Sequence, residues 1–304
     1  MQSWREISIP VPWGHISGKW WGSEGRRPIL ALHGWQDNAG TFDKLAPLLV
    51  AEGLSILAID LPGHGQSSHL PKGQFYYLYW DGILLVRRIV RHFKWPTVTL
   101  LGHSLGGAIS LMYAGAYPDG VDKLVSIDIA GPVTKPEKRT VADTAFICDK
   151  FLDYENLNEK RMPSYSRDDV MDLVMDAYKG SLTKESCEIL MQRGTKEAAV
   201  PGGLNFCRDV RLKIAGLAPF SRELVIEFAK AIRCEILNIK GKPGMVFDNE
   251  NFYHEVIEAT RAGAKRLERH EVEGTHHLHL NDPQHMAPLV INFLSEFDPQ
   301  DIPI

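Results

Sequence analysis

A serine nucleophile is suggested by the motif GHSLG at residues 102–106, which fits the pattern Gly-x-Ser-x-Gly. A buried apolar run enters this motif and a helical run leaves it. In such a strand–turn–helix the serine occupies a sharp turn with positive φ, and small flanking residues let the strand and the helix pack closely. We therefore expect Ser104 to present its hydroxyl at the edge of a sheet, where it could attack a carbonyl carbon.

A general base for this serine is expected in the segment EGTHHLH at residues 273–279, which follows the last predicted strand, at residues 266–272. His276 leads the histidines of this loop, and a neutral imidazole can take the proton of a serine hydroxyl. His277 and His279 stand two residues apart, with no acidic or cysteine partner at the spacing of metal ligands. We therefore interpret His277 and His279 as packing residues and predict neither a metal nor a cofactor.

The carboxylate that orients His276 has two candidates. Asp128 ends the strand after the serine's helix, and Asp248 lies several residues beyond the next strand. Both keep the chain order Ser…Asp…His, whereas Asp60 precedes the serine and is interpreted as structural. We favour Asp128, because the carboxyl end of its strand faces the same side as Ser104, and we keep Asp248 as the alternative.

Acyl transfer at a serine also needs hydrogen-bond donors for the negative oxygen that forms in the transition state. The backbone N–H of Leu105 opens the helix after the serine, where N–H groups are free to bind an anion. The backbone N–H of Trp35 follows the end of an earlier buried strand. We predict that these two backbone groups form the oxyanion hole.

The elements that must position these residues alternate along the chain. Apolar runs over residues 28–32, 54–61, 98–102 and 123–128 predict buried strands, and helical runs lie between them. This alternation predicts a parallel sheet covered by helices. Alternating apolar residues over 7–20 predict two antiparallel strands at the start of the chain.

Residues 133–220 interrupt the alternation, because they contain acidic helical segments and no buried-strand run. A strand at 235–240 resumes it, and a final helix is predicted at 286–297. We therefore predict an α/β core of residues 1–132 and 221–304, with residues 133–220 as a helical cap over the serine.

Four segments together resemble the α/β-hydrolase superfamily: LHGWQDNA at 32–39, DLPGHG at 60–65, the GHSLG motif and the loop of His276. The details are most similar to the serine hydrolase-like (Kraken-type) proteins, through PWGH at 12–15, HGWQDN within the first segment and QRG at 192–194. The resemblance implies an eight-stranded, mostly parallel sheet with a helical cap.

One departure from the superfamily concerns the acid. Many relatives carry it as Gly-x-x-Asp after the penultimate strand, whereas this chain has GKPG at 241–244. The segment SIDIAGP at 126–132 resembles relatives that keep the acid one strand earlier. The resemblance therefore leaves both Asp128 and Asp248 open.

These residues predict a carboxylesterase-like serine hydrolase that cleaves esters or thioesters through an acyl-serine intermediate, without a cofactor. Ser104 argues against dehalogenases and epoxide hydrolases, which use aspartate at this turn. A cofactor-free acyltransferase or haloperoxidase-like activity shares the triad and stays open, as does a receptor-like protein with little turnover. The aromatic run YYLYW at 76–80 favours a hydrophobic acyl or alcohol group in the substrate.

Composition excludes several other classes. The 304 residues include 34 basic and 38 acidic ones, mixed along the chain, and no basic block that would indicate nucleic-acid binding. No apolar run approaches the roughly 18 residues of a membrane span. The start MQSWRE lacks the features of a secretory signal, and the four cysteines form no C-x-x-C pair. We therefore expect a cytoplasmic protein with reduced thiols.

Overall fold

An eight-stranded sheet runs through the computed structural model, which describes residues 4–157, 163–214 and 216–295. A separate pair of short strands, β7 and β8, forms a small antiparallel hairpin. The strands are β1 (Trp4–Val11), β2 (Gly14–Trp21), β3 (Ile29–Leu32), β4 (Ile56–Ile59), β5 (Val98–His103), β6 (Val121–Ile127), β7 (Thr195–Glu197), β8 (Leu204–Phe206), β9 (Glu235–Pro243) and β10 (Arg266–Gly274).

The strand order in the large sheet is β1-β2-β4-β3-β5-β6-β9-β10. Strand β2 is antiparallel to both of its neighbours, β1 and β4, and the remaining pairs of this sheet are parallel. This arrangement confirms the predicted eight-stranded, mostly parallel sheet of an α/β-hydrolase fold. Strand β3 has β4 on one side and β5 on the other, so the strand order reverses between β3 and β5. Open α/β sheets bind ligands in the crevice at the carboxyl ends of the two strands at such a point.

Helices cover both faces of the sheet, because the central strands are apolar on both sides. One apolar cluster joins the sheet to α2, α3, α7 and α8, and a second joins its other face to α1 and α10. The helices are α1 (Leu45–Ala51), α2 (Leu78–His92), α3 (Leu105–Ala116), α4 (Glu137–Glu155), α5 (Arg167–Ala177), α6 (Lys184–Gly194), α7 (Arg222–Ala231), α8 (Glu250–Gly263), α9 (Leu278–Asn281) and α10 (Ala287–Ser295).

The range predicted as a cap contains α4, α5 and α6, the β7–β8 hairpin and a 3₁₀ segment at Val210–Ile214. Helices α5 and α6 share an apolar cluster of their own, which also includes Leu280 of α9. The hairpin was not predicted, because its three-residue strands are too short to show an alternating pattern. None of the helices within the described ranges combines the length and the apolar character needed to cross a membrane. All four cysteines are free thiols.

Candidate active site

Ser104 stands between the end of β5 and the start of α3, with φ 50° and ψ −118°. A non-glycine residue in this region of φ/ψ space is strained, and such strain is typical of functional turns. The flanking glycines allow the turn, because a Cβ on Gly106 would collide with the carbonyl group of Leu32, and a Cβ on Gly102 would collide with the backbone of the helix. The structure therefore places the GHSLG motif in the strand–turn–helix context that the sequence predicted.

His276 lies in the loop between β10 and α9 and is buried. Its Nδ1 lies 2.6 Å from Oδ2 of Asp128, a short hydrogen bond that leaves Nε2 available to a proton donor. Its carbonyl oxygen accepts a hydrogen bond of 2.9 Å from Nε2 of His103, the residue before Ser104. Among the described residues Ser104 Oγ has no hydrogen bond to His276, and such contacts are often loose in the absence of substrate.

Asp128 follows β6 in a left-handed conformation, with φ 53°, and its side chain is fully buried. Its Oδ1 accepts hydrogen bonds from Lys240 Nζ at 2.5 Å and from the backbone N–H of Gly241 at 2.9 Å. Its Oδ2 accepts one from the backbone N–H of Met245 at 2.8 Å, besides the contact with His276. The carboxylate is therefore held on both oxygens, with one oxygen directed at the imidazole.

Asp248, the alternative acid, is engaged elsewhere. Its carboxylate accepts hydrogen bonds from the backbone N–H and the hydroxyl of Thr134, at 3.0 and 2.9 Å. These contacts fasten the loop after β9 to the start of the segment predicted as a cap. The structure thus brings Asp128 to His276 and gives Asp248 a different partner.

Trp35 and Leu105, the predicted oxyanion donors, line the same cavity as Ser104. Leu105 is the first residue of α3, so its N–H has no acceptor within the helix. The indole of Trp35 donates a hydrogen bond of 3.0 Å to the carbonyl of Leu212, which fixes the residue at the cavity wall. The backbone roles of both residues stay predictions.

The cavity above Ser104 has a volume of about 470 Å³ and mostly apolar walls. The core contributes part of the wall, and the segment predicted as a cap contributes the rest, mainly through α4. The apolar lining includes Leu78, Tyr79, Ile129, Phe146, Ile147 and Phe247. Arg139, Asp143 and Lys213 are its charged members. A cavity of this size and polarity fits a small organic molecule.

The other histidines of the loop are buried, each with one ring nitrogen in a hydrogen bond. His277 Nδ1 lies 2.7 Å from the hydroxyl of Ser181, and His279 Nε2 lies 2.8 Å from that of Thr41. Burial lowers the pKa of His277 well below its usual value and lowers that of His279 to about 3, so both rings are neutral. The fold also brings Asp37 beside this cluster, and burial raises the pKa of its carboxyl to about 7.

Two residues of the site were missed by sequence reasoning. Lys240 lies in β9 and contacts Asp128. The only sequence signal for this role was its position at the carboxyl end of a buried apolar run. Asp37 is far from His103 and His277 in the chain, so no local spacing could connect them.

Comparison with known proteins identifies the family of this chain. A family model described as the alpha/beta hydrolase fold matches residues 27–167. A probable serine hydrolase of Drosophila melanogaster is 53% identical over 97% of this chain and 88% of that protein. The human serine hydrolase-like protein 2 is 34% identical over 95% of this chain and 93% of that protein.

Solved structures show the same fold. The crystal structure of a hypothetical protein from Pseudomonas aeruginosa PAO1 superimposes with a TM-score of 0.83 at 30% identity, covering 96% of this chain and 98% of that one. A thioesterase domain from the curacin biosynthetic pathway superimposes with a TM-score of 0.79 at 23% identity, covering 95% and 99% of the two chains. The chain belongs to the α/β-hydrolase family, in its serine hydrolase-like group.

Proposed function

We propose that this protein hydrolyses carboxylic esters or thioesters, with Ser104 as nucleophile, His276 as general base and Asp128 as the acid that orients it. The observation that carries the proposal is the 2.6 Å hydrogen bond between His276 Nδ1 and Asp128 Oδ2, at the sheet edge that holds the strained Ser104. A carboxylate, an imidazole and a serine that meet at one edge form the constellation of acyl-serine chemistry.

In the proposed reaction the Ser104 hydroxyl attacks the carbonyl carbon while His276 Nε2 takes its proton. Asp128 holds the imidazole through Nδ1–H and stabilises its charged form. The tetrahedral oxygen binds to the backbone N–H groups of Trp35 and Leu105, and the proton passes from His276 to the leaving alcohol or thiol. Water then attacks the acyl-serine with His276 again as base, which releases the carboxylic acid and restores Ser104.

The proposed substrate carries a hydrophobic acyl or alcohol group. This follows from the apolar walls of the 470 Å³ cavity, which would desolvate an alkyl or aryl group next to Ser104. We also propose that residues 133–220 act as a lid, because Phe146, Ile147 and Ile214 of this segment face the same cavity as Ser104.

Labelling by a fluorophosphonate probe and turnover of p-nitrophenyl esters of increasing chain length test the proposal. The wild-type chain is expected to react with the probe, and Ser104→Ala is expected to lose labelling and about 10⁴–10⁶ in kcat. Ser23→Ala, a change at an exposed serine outside the site, serves as the matched control and is expected to keep both. A wild-type chain that neither reacts with the probe nor cleaves any ester would contradict the proposal.

A further inference from the structure

Three buried acceptor atoms converge behind the Ser104 turn. Asp37 Oδ2 lies 4.0 Å from His103 Nδ1 and 3.8 Å from His277 Nε2, and all three atoms lie within 4.8 Å of one another. The three residues are each at most 2% exposed. Asp37 Oδ2 and His103 Nδ1 have no hydrogen-bond partner within the described ranges. Buried polar atoms without partners are rare and require an explanation.

The hydrogen bonds on the far side of His103 and Asp37 leave a lone pair facing the centre, and for His277 the tautomer decides. His103 Nε2 donates to the carbonyl of His276, so in the neutral ring Nδ1 carries the lone pair. His277 Nδ1 contacts the hydroxyl of Ser181, and donation to this oxygen leaves a lone pair on Nε2. Asp37 Oδ1 accepts the N–H of Asn38 at 2.8 Å, so Oδ2 is the free oxygen.

With the Asp37 carboxyl ionised and His277 Nδ1 donating to Ser181, the three atoms are acceptors without a donor, and a positive partner would satisfy them. One water molecule has only two hydrogens and could satisfy two of the three atoms. A cation bound between the three atoms would satisfy all of them at once.

We propose that Asp37, His103 and His277 form a binding site for a divalent transition metal ion of the Zn²⁺ type. Two imidazoles and one carboxylate are a ligand set that Zn²⁺ favours. Tetrahedral bonds of about 2.1 Å place ligand atoms about 3.4 Å apart, so the two separations from Asp37 Oδ2 must shorten by roughly half an ångström. The outer hydrogen bonds of both rings, to the His276 carbonyl and the Ser181 hydroxyl, are of the kind that orients metal-binding histidines.

The proposed site is distinct from the proposed catalytic residues but adjoins them. His103 precedes Ser104, and His277 follows His276. The rings of His103 and His276 have centroids 4.5 Å apart, yet His276 directs its Nδ1 at Asp128. The ion would therefore lie behind the serine and the imidazole, without binding either.

Titration calorimetry with ZnCl₂ on the full chain, after dialysis against a chelator, tests the proposal. The wild type is expected to bind one Zn²⁺ ion per chain with micromolar or tighter affinity. Asp37→Asn and His277→Gln each remove one ligand and are expected to weaken binding at least ~10-fold. His285→Gln and Cys148→Ser alter exposed groups that can bind zinc adventitiously, and both are expected to leave the affinity unchanged.

A second measurement keeps the proposal testable where a variant does not fold. Co²⁺ bound to the wild type is expected to show tetrahedral d–d bands without a thiolate charge-transfer band, and Zn²⁺ is expected to raise the Tm of the wild type. The proposal is overturned if the wild type shows no saturable Zn²⁺ binding, or if Asp37→Asn and His277→Gln bind Zn²⁺ as tightly as the wild type. Loss of binding in either control variant, or a thiolate charge-transfer band of bound Co²⁺, would also overturn it.

Discussion

Asp128 occupies the space into which a side chain after β9 would extend. A Cβ on Gly244 would lie 2.5 Å from Asp128 Oδ1, and Gly244 has φ 54°. Glycine therefore fits this position for two reasons, the left-handed backbone and the nearby carboxylate. A carboxylate here and one at Asp128 would compete for the same place beside His276. With Asp128 as the proposed acid, the departure of GKPG from the pattern of many relatives thus has a physical explanation.

The two candidate acids predict different mutational effects. Asp128→Asn keeps the size of the side chain but removes the charge that orients and stabilises the imidazolium, so kcat is expected to fall by about 10⁴. Asp248→Asn alters only the contact with Thr134, and kcat is expected to change by less than about tenfold. Steady-state kinetics on a p-nitrophenyl ester, with circular dichroism as the check on folding, measures both. The reverse order of losses would show that Asp248 is the acid.

Lys240 is expected to act as a positioning residue, since its ammonium group neutralises part of the charge on Asp128. In Lys240→Met the Oδ1 of Asp128 keeps only the backbone N–H of Gly241 as a donor, so the carboxylate holds the imidazole less firmly. The kcat is therefore expected to fall by about tenfold.

Steady-state kinetics of Lys240→Met beside Lys242→Met on a p-nitrophenyl ester checks this expectation. Lys242 is exposed on the same strand and provides the control for loss of one positive charge. Equal kcat values for the two variants would rule out the positioning role of Lys240.

The sequence predicted the position of a residue well where the residues next to it in the chain form its structural environment. The position of Ser104 could be predicted because its turn, strand and helix are contiguous, and that of His276 because its loop directly follows a strand. The acid could not be decided in the same way, because Asp128 and His276 are 148 positions apart. The choice depended on how the loop after β9 folds around Lys240, which is a tertiary property.

At the scale of elements, Arg193 joins the C-terminal end of α6 to the sheet. Its Nε donates to Asp60 Oδ2 at 2.6 Å, just after β4, and its two terminal nitrogens donate to Glu6 of β1. Asp60 is fully buried and also accepts backbone N–H groups from Ala39 and Gln66. The segment predicted as a cap is thereby fastened to two strands of the core through one guanidinium group.

Arg193→Met is expected to lower the free energy of unfolding by about 3 kcal/mol, because it leaves the buried carboxylate of Asp60 without its cation. Urea unfolding measures the change. Lys230→Met breaks an exposed pair with Glu227 and is expected to cost less than about 0.5 kcal/mol. Equal costs for the two variants would mean that the buried pair contributes no more than a surface pair.

The sequence predicted an element better when that element buries more of its residues. Strands β3, β4 and β5 are buried on both faces, so their apolar runs stand out. Helix α4 buries only Ile147 of its 19 residues, so it lacks the apolar periodicity that marks a helix. Its position is determined by contact with the rest of the molecule, which the sequence pattern does not contain.

At the scale of the whole molecule, buried neutral histidines link stability to pH. His64 Nε2 accepts the N–H of Gln36, and His33 Nε2 accepts the N–H of Leu61. Burial lowers the pKa of His64 to about 4, and it lowers that of His33 well below the usual value. A histidine in the unfolded chain has a pKa of about 6.5, so between these values the unfolded state binds more protons.

The free energy of unfolding is therefore expected to fall as pH falls from about 6.5 towards 4. His64 alone should account for about 2 kcal/mol of the loss between pH 7 and pH 5. Urea unfolding at both pH values measures it, and His64→Gln is expected to reduce the difference by about that amount. His285→Gln, at an exposed site, should leave the difference unchanged. A wild-type chain equally stable at both pH values would contradict this account.

The backbone conformation of Ser104 makes the free energy of folding less favourable. Conformations of this kind cost about 1–3 kcal/mol for a residue with a Cβ, and close to nothing for glycine. A chain with glycine at position 104 would have no hydroxyl to attack a carbonyl, yet it is expected to melt at a higher temperature than the wild type. With Ser104 as the proposed nucleophile, this position exchanges thermal stability for reactivity.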